Sequence, residues 1–152
     1  MDFDRLALEA RFATTLQPLA RRWRAEADRA SRDHGLTDAT GYALLSLYRL
    51  GGEARQGDLA QAIDIQGASL VRLLDLLEHD GLVLRRTDRL DRRVNHVILS
   101  ERGRATVVQL ETTLAAIRAT MFEGIDDATL AATADVIQQL ARRVTEMRAR
   151  RA

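Results

Sequence analysis

The sequence has no cysteine in its 152 residues, which excludes disulfide bonds, thiolate zinc sites and thiol-based redox sensing. It also has no lysine, so arginine supplies all 23 basic side chains. No apolar run reaches the roughly 20 residues that a membrane span needs, and the mixed, acidic N-terminus does not resemble a secretory signal. We therefore expect a cytoplasmic protein without a membrane segment.

Sequence motifs of catalysis and metal binding are missing as well. The chain contains no G-x-S-x-G, P-loop, dinucleotide fingerprint or H-E-x-x-H motif. Its histidines, His34, His79 and His96, lie far apart in the sequence, which favours surface or structural roles over metal ligation. We expect no catalytic residue, no metal site and no cofactor, and we do not predict an enzyme.

The composition that remains is that of one globular domain over residues 1–152, with 46 % apolar and 30 % charged residues. The formal net charge is only +1. Any surface that binds an anion must therefore come from local clustering of arginines.

The N-terminal third predicts two helices. Apolar residues recur at helical spacing over 3–34, where Pro18 either kinks the helix or opens a second one. Thr37 or Asp38 can cap the next helix, and the glycine pair at 51–52 ends it.

The central segment predicts a winged helix-turn-helix over residues 37–100. Two short helical patterns in 56–82 flank the turn "IDIQG", and "LVLRR" and "VNHVIL" then predict two strands of a hairpin. The fold class is mostly α (α+β), with a two-stranded or three-stranded wing sheet.

The C-terminal third predicts two further helices. Ser100 can cap a long helix that breaks near Gly124, and Asp126 or Asp127 can cap a last helix that runs to about residue 150. The apolar faces at the two chain ends exceed what a small winged domain can cover. We therefore predict that residues 1–36 and 101–152 form dimerisation helices of a two-fold homodimer.

The second helix of the helix-turn-helix is the candidate recognition helix. Arg72 can pair with guanine or hold a phosphate, and Ser69 and Gln66 can reach a base edge or the DNA backbone. The alternative is an ordinary polar surface, because any amphipathic helix exposes polar residues.

The stretch "RRTDRLDRRV" at 85–94 concentrates positive charge in one loop. A hairpin beside a recognition helix reaches the flanking minor groove, which attracts arginine. Asp91 is expected to pair with a neighbouring arginine and brace the wing, and the alternative for the whole loop is a solvated hairpin tip. The predicted DNA-binding arginines of the loop are Arg85, Arg86, Arg89, Arg92 and Arg93.

Trp23, the only tryptophan, lies among arginines in "ARRWRAEADR". Packing in the core or in a dimer interface is the usual role of such a residue. One of the arginines Arg21, Arg22 and Arg24 could instead hold a carboxylate in a cleft beside the winged domain.

The sequence resembles the multiple-antibiotic-resistance-regulator (MarR) family of bacterial transcription factors, with the SlyA-like branch most similar. The matching motifs are "LT" at 36–37, "DLA" at 58–60, "SLVRLLDLLEHDGLV" at 69–83, "DRR" at 91–93 and "LSERG" at 99–103. The resemblance extends from about residue 16 to 145.

This resemblance implies an obligate dimer that binds a pseudo-palindromic operator in double-stranded DNA and is released by a small aromatic acid. Arg92 and Arg93 match minor-groove arginines, and Asp91 matches the acid that braces the wing. Arg21 matches a pocket arginine, and the pocket also takes in Trp23. The pocket's partner positions on the second helix hold Ala39, Gly41 and Leu45, which makes the pocket roomier and a larger apolar acid equally acceptable.

The function predicted from the sequence is a dimeric, sequence-specific DNA-binding transcriptional regulator, a repressor or counter-silencer, relieved by a small aromatic or apolar acid. The alternative is a dimeric small-molecule-binding or scaffold protein without sequence-specific DNA readout.

Overall fold

The computed structural model describes residues 3–65, 68–88, 91 and 94–150. It is mostly helical with one small three-stranded antiparallel sheet, and the predicted winged-helix fold class is confirmed. In chain order the elements are α1 (Phe3–Asp33), α2 (Asp38–Arg49), β1 (Glu53–Arg55), α3 (Gln56–Ala62), α4 (Ala68–His79), β2 (Val83–Thr87), β3 (Asn95–Leu99), α5 (Glu101–Met121) and α6 (Asp127–Ala149).

The chain divides into two compact units. The first unit, Met1–Ile117, contains α1 to α4, the sheet and most of α5, whereas the second, Arg118–Ala152, contains the end of α5 and α6. The core belongs to the first unit and consists mainly of leucines. On α4, Leu70, Leu73, Leu74 and Leu77 are buried at the helical spacing that the sequence shows, which leaves the opposite face of α4 exposed.

The sheet has the strand order β1-β3-β2, with β3 in the centre. The hairpin strands pair from Val83 opposite Leu99 to Thr87 opposite Asn95. The third strand, which the sequence left open, is the three-residue segment β1, and it places Glu53 opposite Ile98. Val97 and Leu99 of β3 are buried on one face of the sheet, so Arg86 and His96 lie on the other.

Helix α1 continues through Pro18, so no second helix begins at this proline. Helix α2 begins after Thr37, whose hydroxyl accepts the N–H of Thr40 at 3.2 Å while the Thr40 hydroxyl accepts the N–H of Thr37 at 2.8 Å. These reciprocal bonds form a capping box, which selects Thr37 over Asp38 as the cap.

The segment "SERG" joins the sheet to α5. The Ser100 hydroxyl donates to the carbonyl of Gly81 at 2.6 Å and accepts the N–H of Gly103 at 2.9 Å. Gly103 packs so closely on Leu82 that an added Cβ would lie 2.8 Å from the Leu82 carbonyl carbon. The motif therefore fixes the start of α5 against the turn after α4.

Helix α6 begins after Asp126, whose carboxylate accepts the Thr129 N–H at 2.9 Å. This backbone hydrogen bond lowers the pKa of Asp126. Across the residues given above, no helix is both long enough and apolar enough to span a membrane.

Candidate nucleic-acid interface and ligand cavity

The outer face of α4 carries the residues predicted to read DNA. Ser69 and Arg72 are both exposed there, one helical turn apart. Within the described ranges, Arg72 forms no hydrogen bond or ion pair, so its guanidinium remains available to an external anion. Leu76, one turn further along, is 54 % exposed and extends this face with an apolar side chain. The predicted contact Gln66 lies outside the described residues.

Arg85 on β2 is tied to α4. Its Nε donates to Glu78 Oε2 at 2.9 Å, and its Nη2 lies 2.7 Å from Asp75 Oδ1. The hydrogen bond from Arg85 lowers the pKa of Glu78, and the bond to Glu78 raises that of Arg85. The positive charge of Arg85 is thus compensated by two carboxylates, and the bridge attaches the C-terminal half of α4 to the wing sheet.

A second charged network lies on the outer face of the sheet. Arg86 Nη2 donates to Glu53 Oε1 at 2.8 Å, and the same oxygen lies 3.4 Å from His96 Nδ1. His96 Nε2 lies 3.2 Å from Asp88 Oδ2, at the base of the wing loop. His96 is therefore only 19 % exposed at its side chain and connects β1 to the loop.

Asp88 organises the described part of the wing loop. Its carboxylate accepts the N–H of Asp91 at 3.1 Å, and its own N–H donates to the carbonyl of Val94 at 2.8 Å. The Asp91 carbonyl in turn accepts the N–H of Val94 at 2.9 Å. The predicted pairing of Asp91 with a neighbouring arginine stays a prediction. Sequence reasoning did not single out Asp88, although aspartate side chains typically accept backbone N–H groups a few residues further on in turns. The predicted contacts Arg89, Arg92 and Arg93 lie outside the described residues.

A cavity of about 570 Å³ opens in the first unit, within the range of small-molecule sites. Its walls come from α1, α2, the turn between α3 and α4, and the inner face of α4 through Leu73. The aromatic and charged side chains in these walls are Trp23, Tyr42, Arg24, Asp38 and Asp64.

The predicted ligand pocket coincides with this cavity only in part. Trp23 and Ala39 line it, but Gly41 and Leu45 are buried elsewhere. An added Cβ on Gly41 would collide with the Ser31 side chain of α1, so this glycine serves helix packing. Arg21 is exposed and does not line the cavity. The arginine in the wall is Arg24. It lies four residues after Ala20, so both residues are on the face of α1 that lines the cavity, whereas Arg21 is on another face.

His34 has a structural partner on α5. His34 Nε2 lies 2.9 Å from the hydroxyl of Thr113 in α5, so it connects the end of α1 to that helix. No group of three or more histidine, aspartate or glutamate side chains comes together for a metal ion in the part of the chain that the structure describes.

Comparisons with known proteins agree with this geometry. Residues 34–94 match the model of the MarR family. The solved structure of the transcriptional regulator PA3341 is 34 % identical, with a TM-score of 0.79, and the match covers 89 % of this chain and 98 % of that one. The MarR family transcription regulator SP03579 has a TM-score of 0.83 at 24 % identity, with 95 % of each chain covered.

A further similar structure is that of CouR from Rhodococcus jostii RHA1 bound to p-coumaroyl-CoA. It is 25 % identical with a TM-score of 0.76, and the match covers 86 % of this chain and 91 % of CouR. The family match, the relative that is 34 % identical over nearly its whole length, and the winged helix with its exposed recognition face lead to one conclusion. This chain belongs to the MarR family of DNA-binding transcriptional regulators.

Proposed function

We propose that the protein is a homodimeric repressor that binds a pseudo-palindromic operator and leaves it when a small molecule occupies the cavity of each protomer. The observation that carries the DNA part is the exposed face of α4, where Ser69 and Arg72 point away from a leucine core. An exposed arginine in the N-terminal half of a recognition helix, with no partner among the described residues, can bind guanine bidentately or hold a phosphate.

The arginines of residues 85–93 divide into two groups in this proposal. Arg85 is paired with two carboxylates of α4, so its main role is to hold the hairpin against the recognition helix. Arg86 is paired with Glu53 and ties β2 to β1 across the sheet. Arg89, Arg92 and Arg93 are the arginines proposed to enter the minor groove, because in the sequence each falls in the segment that joins the paired strands β2 and β3. The turn built by Asp88 and Asp91 fixes the base of that loop.

The proposed dimer uses the helices at the chain ends. No residue of α6 is buried in the isolated chain. Val136, Val144 and Met147 of α6 are 46 %, 50 % and 52 % exposed and recur at helical spacing, which forms an apolar stripe. Leu8 and Leu19 of α1 are also more than half exposed. A second copy of the chain would cover such faces and would place two recognition helices about one turn of DNA apart.

The proposed ligand response rests on the position of the cavity. Its wall includes the turn between the two helices of the helix-turn-helix and Leu73 of α4. A small molecule there contacts the element that reads DNA. The related regulator CouR is known with p-coumaroyl-CoA bound, which supports a ligand-binding role in the present chain. Membership of the SlyA-like branch stays a prediction from the sequence motifs.

The test is selection of bound duplexes from a random double-stranded DNA pool at near-physiological salt, followed by binding measurements with the selected sequence. We expect an enriched inverted repeat, and we expect Arg72→Ala to weaken binding to it by about tenfold or more while binding to scrambled DNA changes less. Arg29→Ala, which removes one exposed positive charge from α1, is the matched control and should leave the preference intact.

Two results would contradict the proposal. If no sequence is enriched and binding is only bulk and salt-sensitive, the protein lacks sequence readout and the scaffold alternative gains. If Arg72→Ala binds operator and scrambled DNA as the wild type does, α4 is not the reading element.

A further inference from the structure

The charges around the cavity do not favour an acid. Arg24 is the basic side chain among its described lining residues, whereas Asp38 and Asp64 both contribute carboxyl groups. A third carboxyl, that of Asp28 on α1, lies close enough to Asp38 to raise the pKa of that carboxyl. Three acidic groups against one guanidinium make this region negative, and a ligand carboxylate would enter against that field.

The negative charge of Asp28 and Asp38 is compensated only in part, by Arg24. The hydrogen bond to Asp28, burial and the negative charge of Asp28 raise the pKa of Asp38, and the positive charge of Arg24 opposes this rise only in part. Asp28 Oδ1 is buried and has no hydrogen-bond partner within the described ranges. Two carboxyl groups in contact need either a shared proton or a cation, and a ligand N–H donor with positive charge would supply both charge and hydrogen bonds.

The other walls suit a flat aromatic body. Trp23 and Tyr42 line the cavity from α1 and α2, and Ile63, Ile65 and Leu73 add apolar surface from the helix-turn-helix. Aromatic faces attract cations as well as rings. The cavity of about 570 Å³ is large enough for a molecule of two or three rings.

We propose that the cavity binds an aromatic cation, a planar ring system that carries a protonated amine or amidine directed at Asp38 and Asp64. This differs from the aromatic or apolar acid that the family resemblance implied. The resemblance matched Arg21 to a pocket arginine, but Arg21 lies outside the cavity, and Arg24, which the sequence also offered as a carboxylate partner, shares the cavity walls with Asp38 and Asp64. The inference rests on the proposed function only for its consequence, namely that the bound cation releases DNA.

The coupling to DNA follows from the walls. Asp64 holds a left-handed backbone conformation, with φ 52°, in the turn between α3 and α4. A cation drawn to its carboxylate interacts directly with this turn and with Leu73 on the inner face of α4. A ligand shifts a conformational equilibrium only by its difference in affinity between the two states, and contacts on the moving element supply that difference.

The experiment compares biphenyl-4-carboxamidine with biphenyl-4-carboxylate, which share one ring system and differ in the sign of their charge. Trp23 is the only tryptophan and lines the cavity, so quenching of its fluorescence reports occupancy of this site in the full-length protein without DNA. Calorimetry on the same samples gives an independent affinity. We expect the amidine to bind at least tenfold more tightly than the carboxylate.

The variants assign the preference to residues. Asp38→Asn should reduce the preference for the amidine, and Asp64→Asn should do the same, because asparagine tolerates the left-handed conformation of this turn and the variant should fold. Glu26→Gln removes one negative charge from α1 outside the cavity and should leave both affinities unchanged. Equal or tighter binding of the carboxylate, an unchanged preference in both aspartate variants, or failure of both probes to quench Trp23 would overturn the inference.

The same samples separate this inference from the proposed function. An amidine that quenches Trp23 while operator binding persists would support the ligand class and contradict the effector role. Selection of no operator would contradict the repressor role and leave the fluorescence result standing.

Discussion

Replacing Arg85 by alanine should lower the free energy of unfolding by about 1 kcal/mol, because the change removes two ion pairs between the wing sheet and α4. Exposed ion pairs contribute about 0.2–1 kcal/mol each. The partners of Arg85 are 38 % and 53 % exposed, so solvent screening keeps each pair well below what a buried one would give. For a chain of this length, about 1 kcal/mol corresponds to a fall in Tm of about 2–4 °C.

The assay is thermal unfolding followed by circular dichroism, at one fixed protein concentration because the proposed dimerisation would make Tm depend on concentration. Arg72→Ala is the control on the same helix. It removes an exposed guanidinium that has no ion-pair partner in the described ranges, so Tm should stay nearly constant while operator affinity falls. Combining Arg85→Ala with Glu78→Gln should cost less than the sum of the two single changes, which a double-mutant cycle measures directly.

The pH dependence gives a second check on the same bridge. Arg85 lowers the pKa of Glu78, so this carboxylate stabilises the fold at pH values above its pKa in the unfolded chain. The contribution is lost as the pH falls through the lowered value in the folded state, so the difference in stability between wild type and Arg85→Ala should shrink in acid. If Arg85→Ala keeps the wild-type Tm at neutral pH and reduces the salt dependence of operator binding, Arg85 contacts a phosphate and does not brace the wing.

Three further changes have defined outcomes. Gly103→Ala should destabilise the chain by about 1–3 kcal/mol in urea unfolding, because the new methyl group meets the Leu82 carbonyl. Gly57→Ala is the control, and it should be neutral or stabilising because no atom lies near its added Cβ. Equal changes in unfolding free energy for the two variants would refute the steric argument. Asp126→Ala should lower Tm at neutral pH and much less in acid, because the cap acts while its carboxylate is ionised, and a pH-independent loss would contradict this reason. His96→Ala removes the link between Glu53 and Asp88 at the base of the wing and should weaken operator binding with little change in its salt dependence. A salt dependence reduced by the equivalent of one phosphate contact would instead make His96 a DNA contact.

The fold could be predicted from the sequence where local patterns determine it. The leucine spacing of α4, the aspartate before α6 and the serine before α5 each act within a few residues, and the structure confirms these elements. β1 could not be placed, because three residues with no alternation show no strand signal and the segment is a strand only through its pairing with β3. Pro18 made a helix break possible, but α1 continues through it. Proline removes one backbone hydrogen bond, and the remaining bonds of this long helix are enough to keep it continuous.

The candidate site was harder to predict because its electrostatics are non-local. The motif around Arg85 shows five arginines, but it does not show that Asp75 and Glu78 on α4 and Glu53 on β1 come within ion-pair distance of two of them. The cavity shows the same limit. The rotation of α1 about its axis decides which of its arginines lines the cavity. The acidic lining residues, Asp38 and Asp64, come from α2 and from the turn before α4, which are distant in the sequence.

The cavity and the proposed DNA-reading face both include residues of α4, so a ligand in the cavity can act on DNA binding through this one helix. Leu73 lines the cavity and is the residue next to Arg72, which is exposed on the face of α4 proposed to read DNA. A helix moves as a rigid element, so a displacement of Leu73 by a bound ligand displaces Arg72 as well. A tenfold loss of operator affinity requires a difference of only about 1.4 kcal/mol in the ligand's affinity for the two positions of α4. One charge-assisted hydrogen bond to Asp64, made in one position of the turn and absent in the other, is of that size.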